Sequence, residues 1–481
     1  MINARLPAIV ALTTVLLAGC AAPSIHPEVA SLQAGALGLG PAPAPVIADA
    51  WWTGFGDPQL DRIMTDALDA SPTLAAALAR IRIAEAEVSG QRAGARPHLD
   101  IDAQDQLTRL SSKYTIPPPY GGTTRWVGTA QGNFSWTLDF WGQQAAMVDQ
   151  ARKSARAASL DAAAARLALA GSVAQTYVEL VRAERLEAIA ASFVTSREKS
   201  LELVRSRIRN QLASRFDERA ADTLLAQARQ AQVRAAGQRE TIVHALAALA
   251  GRGADYYPSI GRTSLILDTA LPLPQTLPAD LLGRRPDLLA GLARIDAAAA
   301  GRKVARTAYY PNVNLLGLAG LQALGIGALF SAGASTYGLG PSLHLPIFEG
   351  GKLRADYAGA TGQLDLATAD YDTAVLRAVR EAADSISQVR TSAADAAEQA
   401  RLLEALQDVV RLDRTRTGAG LGSQLDILDS GTRLLAAQQT AVDIAANGTI
   451  SRVQLLVALG GGFGQAADVA VSAAPSSQAR P

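Results

Sequence analysis

The chain has 481 residues, of which 49% are hydrophobic and 19% charged, and a formal net charge of +1. That balance excludes an acidic disordered chain and a basic nucleic-acid binder, both of which need a lopsided charge. A single cysteine excludes a disulfide framework and any multi-cysteine metal site, and four histidines leave little material for a histidine cage.

Arg5 is the only charge ahead of an apolar run from Leu6 to Leu17, which is too short to span a bilayer and fits the apolar region of a signal peptide. The run ends in Leu17-Ala18-Gly19-Cys20, which looks like a bacterial lipobox. The sequence therefore predicts removal of residues 1–19 and a diacylglyceryl group on the Cys20 thiolate. Ala21 follows in place of an aspartate, which by resemblance to bacterial lipoproteins implies export onward to the outer membrane. Two or three acyl chains, at about 0.8 kcal/mol per buried methylene, make a stable anchor. Residues 20–50 read as an extended tether, since Pro23 to Pro45 is rich in Pro, Ala and Gly and has no periodicity.

The chain then repeats itself. Ser71-Pro72-Thr73-Leu74, Leu78-Ala79-Arg80-Ile81 and Pro97 recur as Arg285-Pro286-Asp287-Leu288, Leu292-Ala293-Arg294-Ile295 and Pro311. Leu212-Ala213-Ser214-Arg215-Phe216-Asp217 recurs as Leu421-Gly422-Ser423-Gln424-Leu425-Asp426. A period this long is a duplicated domain and not a short solenoid repeat. Residues 51–284 and 285–462 each hold a helix, a β-hairpin and two long helices, and residues 463–481 form a flexible tail.

In the first half, His98, Asp100, Asp102, Gln104 and Gln106 alternate with Leu99, Ile101, Ala103 and Leu107. A turn at Ile116–Gly122 leads to a second strand with Trp126, Gly128, Ala130, Gly132, Phe134, Trp136, Leu138 and Phe140 on one face. Thr129, Gln131, Asn133, Ser135, Thr137 and Asp139 line its other face. An apolar face bounded by Trp and Phe, opposite a polar face, fits a transmembrane β-barrel strand, although a soluble sandwich strand has the same period. Ala145 to Asn210 and Leu353 to Arg416 are alanine-rich, proline-free and apolar at helical spacing. At 1.5 Å per residue each helix is about 100 Å long and needs partners along its length. Leu201, Val204, Ile208 and Leu212 make one candidate seam of a coiled-coil-like bundle.

Leu315 to Ala334 carries no charge and by length alone passes for a membrane-spanning helix. Its repeat counterpart contains Asp102, Asp105, Arg109 and Lys113, and its five glycines suit a hairpin, so a second strand pair is expected. The return strand places Tyr337, Leu339, Leu343, Leu345 and Ile347 opposite Thr336, Ser342 and His344. Pro341 removes a ladder donor, so a bulge or strand end is expected near it. Four strands cannot close a barrel, since the smallest single-chain barrels need about eight. Three copies give twelve strands and a tube of twelve paired helices.

These features together resemble the TolC-like outer-membrane factor family, specifically its lipoprotein branch, often called NodT-type efflux lipoproteins. The motifs that carry the resemblance are Trp51-Trp52-Thr53-Gly54-Phe55-Gly56-Asp57-Pro58-Gln59-Leu60, Trp136-Thr137-Leu138-Asp139-Phe140-Trp141-Gly142, its counterpart Leu345 to Gly351, and Gly420 to Asp429. The resemblance implies a mostly α fold with a small β part, in which a homotrimer forms a short outer-membrane β-barrel continuing into a periplasmic α-helical tunnel. It further implies substrate delivery from an inner-membrane pump through a periplasmic adaptor (membrane fusion) protein, in small-molecule efflux or in type I secretion of a polypeptide, and contact with outer-membrane lipid.

Asp426 and Asp429 stand three apart at a helix start and share a face, so a trimer gathers six carboxylates around one axis. By resemblance they match the family's periplasmic constriction. Arg414 and Arg416, and Arg205, Arg207 and Arg209 in the first half, are candidate latch cations for that gate. The everyday alternative is a pair of solvated first-turn acids favoured by the helix dipole. Asp217 sits at the place matching Asp426, but Arg219 follows it and no second acid stands at the next step.

No phosphate-cradling loop, metalloprotease helix or nucleophile elbow is present, so neither catalysis nor a cofactor or metal is expected. His26, His98, His244 and His344 are scattered, and Gly460-Gly461-Gly462 reads as a helix stop. The competing reading is a lipid-anchored periplasmic coiled-coil scaffold or adaptor without a pore, which does not require duplicated hairpins with aromatic-bounded apolar faces.

Overall fold

The computed structural model describes residues 24–30, 32, 47–113, 116–267 and 281–463. The signal peptide, Cys20, most of the tether and the tail beyond Phe463 lie outside the described residues. In chain order the elements are α1 (Pro58–Ala70), α2 (Pro72–Gly94), β1 (His98–Arg109), β2 (Thr124–Leu138), α3 (Gln143–Arg209) and α4 (Arg215–Leu249). The second half adds α5 (Pro286–Thr307), β3 (Asn312–Leu324), β4 (Ser335–His344), α6 (Lys352–Gly418) and α7 (Gln424–Ala458). The duplication is exact in helix length: α3 and α6 each have 67 residues, α4 and α7 each have 35. Both pairs begin 209 positions apart, 143 against 352 and 215 against 424.

The chain divides into two compact units. One comprises residues 80–158 and 291–371 with the described part of the segment before residue 32. It holds a four-stranded antiparallel sheet in the order β1-β2-β3-β4, with every register unbroken. Opposed residues share a face, so Leu99, Phe134, Gly317 and Leu339 form one row, and Ile101, Gly132, Ala319 and Tyr337 the next. Asp102, Gln131, Gly320 and Thr336 form a row on the reverse face.

Three details depart from the strand pattern. Asp105, opposite Gly128, stands on the apolar face. Leu316 and Leu318 stand on the polar one, opposite Ser135 and Asn133, so the middle of β3 is apolar on both sides. Pro341 lies within β4 without a bulge, paired with Leu315, and the strand ends three residues later at His344, short of Leu345 and Ile347. The physical reason is that β4 is an edge of the chain's own sheet, where alternate N–H groups point away from the ladder. The uncharged stretch 315–334 is a strand and a connection, as the duplication implied. Gly325, at φ 89, donates to the Trp126 carbonyl at 2.7 Å and leads into a one-turn helix, Ile326–Leu329.

The second unit comprises residues 32–79, 159–290 and 372–481, of which the described ones build the largest core. Leu60, Ile63, Met64, Ala67 and Leu68 recur at helical spacing on α1 and are all buried. They meet Trp51, Phe55, Val173, Tyr177, Leu180, Leu246, Val453 and Leu456. A smaller cluster of Leu201, Val204, Ala221 and Leu225, with Ile208 packed against it, joins α3 to α4. Leu212 does not continue that seam and is 68% exposed. It lies past the helix end, where its amide donates to the Arg207 carbonyl at 2.8 Å to close the turn. That turn needs a positive φ, supplied by Gln211 at 61° and, 209 positions later, by Gly420 at 75°. The glycine stop holds, with Gly460, Gly461 and Gly462 at φ 94, 51 and 82.

Asp57 is nearly fully buried at the N-terminus of α1. Its carboxylate accepts from the Gln59 amide at 2.9 Å, the Ser264 amide at 3.0 Å and the Tyr177 hydroxyl at 2.8 Å. Burial pushes this carboxyl up, but the hydrogen bonds from Tyr177, Gln59 and Ser264 together outweigh it and hold the pKa below the ordinary range. Burial, then the bond to Asp57, push the Tyr177 phenol well up. The Trp51–Leu60 motif thus closes a buried polar knot. Tyr177→Phe is expected to cost about 1–3 kcal/mol by stripping one donor from a buried carboxylate. A carboxyl depressed on folding stabilises above its ordinary pKa, near 4, and that contribution is lost as pH falls through the depressed value. The variant raises that value and so loses part of this contribution, and thermal melts from pH 3 to 7 should show its deficit against the parent largest near pH 7 and shrinking as the pH falls below about 4.

Candidate functional site

The two helix turns are copies of one device. Ser214 caps α4 and Ser423 caps α7, each in a capping box with the acid three residues on. Asp217 accepts from the Ser214 amide at 2.7 Å and hydroxyl at 2.8 Å. Those bonds, in that order, and then the Arg207 charge, hold its carboxyl below the usual range against slight desolvation. Asp426 accepts from the Ser423 amide at 2.8 Å. Asp429, one turn further on, pairs with Arg433 at 2.7 Å with both side chains well exposed.

Arg205 pairs across its turn with Glu218 at 3.0 Å. Applying the 209-residue offset, Arg414 matches Arg205 and Arg416 matches Arg207, but Ile427 matches Glu218 and Ala220 matches Asp429. Only the second turn therefore carries the double carboxylate, and the position matching Glu218, the partner of Arg205, is an isoleucine there. Within one chain neither Arg414 nor Arg416 is joined to Asp426 or Asp429, and Arg209 ends α3 without meeting either. Sequence reasoning missed Glu218 and Arg433. Arg433 was readable as the fourth residue after Asp429, whereas the Arg205–Glu218 pair needs the turn to be known. The tips also present Leu212, Phe216 and Leu421, which are strongly exposed.

On the polar face of the sheet, the Asn133 amide donates to Asp102 at 2.6 Å and to Asp100 at 3.2 Å. Thr137 donates to Asn314 at 2.8 Å across β2 and β3. His98 and His344 stand on this face, opposite Ser135 and Asn312. His244 instead stacks on Tyr257, with ring centres 4.3 Å apart. Among the described residues no three metal-ligating side chains gather. The arrangement combines a sheet with one mainly apolar and one mainly polar face and long helices ending in charged turns.

Comparison with known proteins agrees. The profile of the outer membrane efflux protein family matches residues 63–252 and 277–461. The outer membrane protein OprJ of Pseudomonas aeruginosa is 30% identical over 470 residues, covering 92% of this chain and 96% of OprJ. The fusaric acid resistance protein FusA of Burkholderia cepacia is 33% identical over 361 residues, covering 72% of this chain and 67% of FusA. The crystal structure of the outer membrane protein VceC from Vibrio cholerae superposes with a TM-score of 0.79 at 28% identity, covering 87% of this chain and all of that one. The sequence motifs, the duplicated hairpin-and-helix frame and these matches converge, and the chain belongs to the outer membrane efflux protein family.

Proposed function

We propose that three copies of this chain form the outer-membrane conduit of a tripartite efflux system, anchored by acyl chains on Cys20. The observation that carries this is the two-faced sheet of four strands, with β1 and β4 unpaired at its edges, in the same chain as two 67-residue helices. Free edges of this kind demand closure, and twelve strands suffice for a barrel. Substrate enters from an inner-membrane pump by way of a periplasmic adaptor, and the apolar tips at Leu212, Phe216 and Leu421 suit docking of that adaptor. The relatives' association with fusaric acid resistance and efflux favours small molecules over polypeptides as cargo.

Asp426 and Asp429 line the periplasmic constriction in this reading. The Ile427 position opposite Arg414 leaves that cation available to an acid of a neighbouring copy, with Arg416 beside it. Arg205 is engaged by Glu218 and Arg207 lies near Asp217, so these two arginines serve their own turn. The test is planar-bilayer conductance of the purified protein together with its mass in mild detergent. Discrete, cation-preferring channels from a particle near three times 50.0 kDa are expected. A monomer that conducts nothing after refolding controls would sink the proposal.

A further inference from the structure

A short piece of the N-terminal segment, which has no regular secondary structure, is held by side chains far away in sequence. The Asp365 carboxylate accepts from the amides of Glu28 at 3.0 Å and Val29 at 3.2 Å. Two helical turns along α6, Asp372 accepts from the Leu32 amide at 3.0 Å. Ahead of these, the Arg302 guanidinium donates to the Ile25 carbonyl at 2.5 Å. Arg302 is fixed in that pose, because it also donates to the Thr361 hydroxyl at 3.1 Å and lies 5.0 Å from the centre of the buried Tyr357 ring. All four bonds go to backbone groups of the segment, so the grip is indifferent to its side chains. The spacings agree as well. Asp365 and Asp372 are about 10.5 Å apart along the helix axis, and the three or four residues from Glu28 or Val29 to Leu32 span about 10–13 Å when extended.

We infer that Arg302, Asp365 and Asp372 form a docking track on α5 and α6 for the residues that follow Cys20, and that the track sets how far the lipid stands from the sheet. Thr361, level with Ile25, lies nine residues into α6, about 14 Å from its start. The five residues from Cys20 to Ile25 reach at most about 17 Å. With Ile25 held, the acyl chains can reach the junction of sheet and helices and cannot lie more than about 17 Å from Ile25. Without the grip, the chain from Cys20 to Ile47 spans up to about 90 Å and leaves the lipid anywhere along the helices. The depth argument rests on the reading that Cys20 is acylated and the sheet lies in the membrane; the track itself does not.

Hydrogen exchange on the full-length protein in detergent, with D365A/D372A compared against D370A as a control on the same helix, tests the track. The amides of Glu28, Val29 and Leu32 should exchange at least tenfold slower than an unstructured segment in the parent and in D370A, and at the unprotected rate in the double variant. Unprotected amides in the parent would overturn the track. The depth role is tested by deleting residues 22–24, which leaves a reach of about 7 Å. That deletion should lower the membrane-inserted, heat-resistant fraction several-fold, and adding D365A/D372A should restore it. Full insertion of the deletion, or an N-terminal mass without acyl chains, would overturn the depth role. Exchange on Cys20→Ser reads the track without lipid or conductance, so a protein that fails to conduct yet protects these amides refutes the conduit and not the track.

Discussion

Replacing Arg285 with alanine will destabilise the protein by about 2 kcal/mol, because it removes the buried cation of an ion cluster and leaves the partly buried Asp287 without its charged partner, while Glu381 keeps Arg377 at 3.6 Å. Arg285 is 8% exposed. It donates to Asp287 at 2.8 and 3.1 Å, to Glu381 at 3.1 Å, and to the Ala458 carbonyl at 3.3 Å. One side chain thus joins the start of α5 to α6 and to the last turn of α7. Burial alone lowers the guanidinium pKa, but Asp287 and then Glu381 more than reverse it. Burial likewise pushes the Asp287 carboxyl up, and the hydrogen bonds and charge of Arg285 hold it below the ordinary range.

The sign follows from that depression. Asp287 stabilises the fold above the ordinary carboxylate pKa near 4, and the contribution is lost as pH falls through its depressed value. In Arg285→Ala the burial of Asp287 is opposed only by backbone hydrogen bonds such as that from the Leu288 amide, so the deficit should be largest near pH 7 and shrink below about pH 4. Thermal melting followed by the helix signal at pH 7 and pH 3.5 measures both. A loss under about 1 kcal/mol at pH 7 would contradict the cluster's role. Replacing Arg285, Asp287 and Glu381 together by apolar residues of similar volume should recover much of the loss.

In D426N/D429N, bilayer channels should lose most of their preference for cations, with the cation-to-anion permeability ratio falling several-fold. In the proposed trimer six carboxylates around one axis would concentrate cations, and their neutralisation would remove that field. The fold should survive. Asparagine retains an acceptor toward the Ser423 amide, so the cap loses a few tenths of a kcal/mol, and the exposed Asp429–Arg433 pair is worth about 0–1 kcal/mol. Glu218→Gln, which breaks a turn pair of the first half, is the control and should leave selectivity near that of the parent. Equal selectivity in parent and double variant would refute the constriction role.

Much of the architecture was legible because it rests on local periods. Alternation of two located the first hairpin and the return strand of the second, and proline-free helical spacing located α3 and α6 to within about two residues. The duplication settled the one ambiguous stretch, since the uncharged segment after Leu315 had to match a strand pair. The paired turns were legible through Ser-x-x-Asp at Ser214 and Ser423. Where period and packing disagree, the sequence misleads. Leu212 fits the seam by spacing but falls past the helix end, and Pro341 reads as a break until β4 is known to be an edge.

The sequence by itself determined the family, the order of elements, the two-faced strands and the acids at the second turn, because each is written within a few consecutive residues or in a repeat. Only the tertiary structure decided that Asp57 is buried against Tyr177, that Arg285 joins three helices, and that Asp365 and Asp372 hold the amides of residues more than 330 positions away. Those contacts follow from where the folded backbone brings distant groups. A hydrogen bond to a main-chain amide leaves no mark on the identity of the residue that donates it.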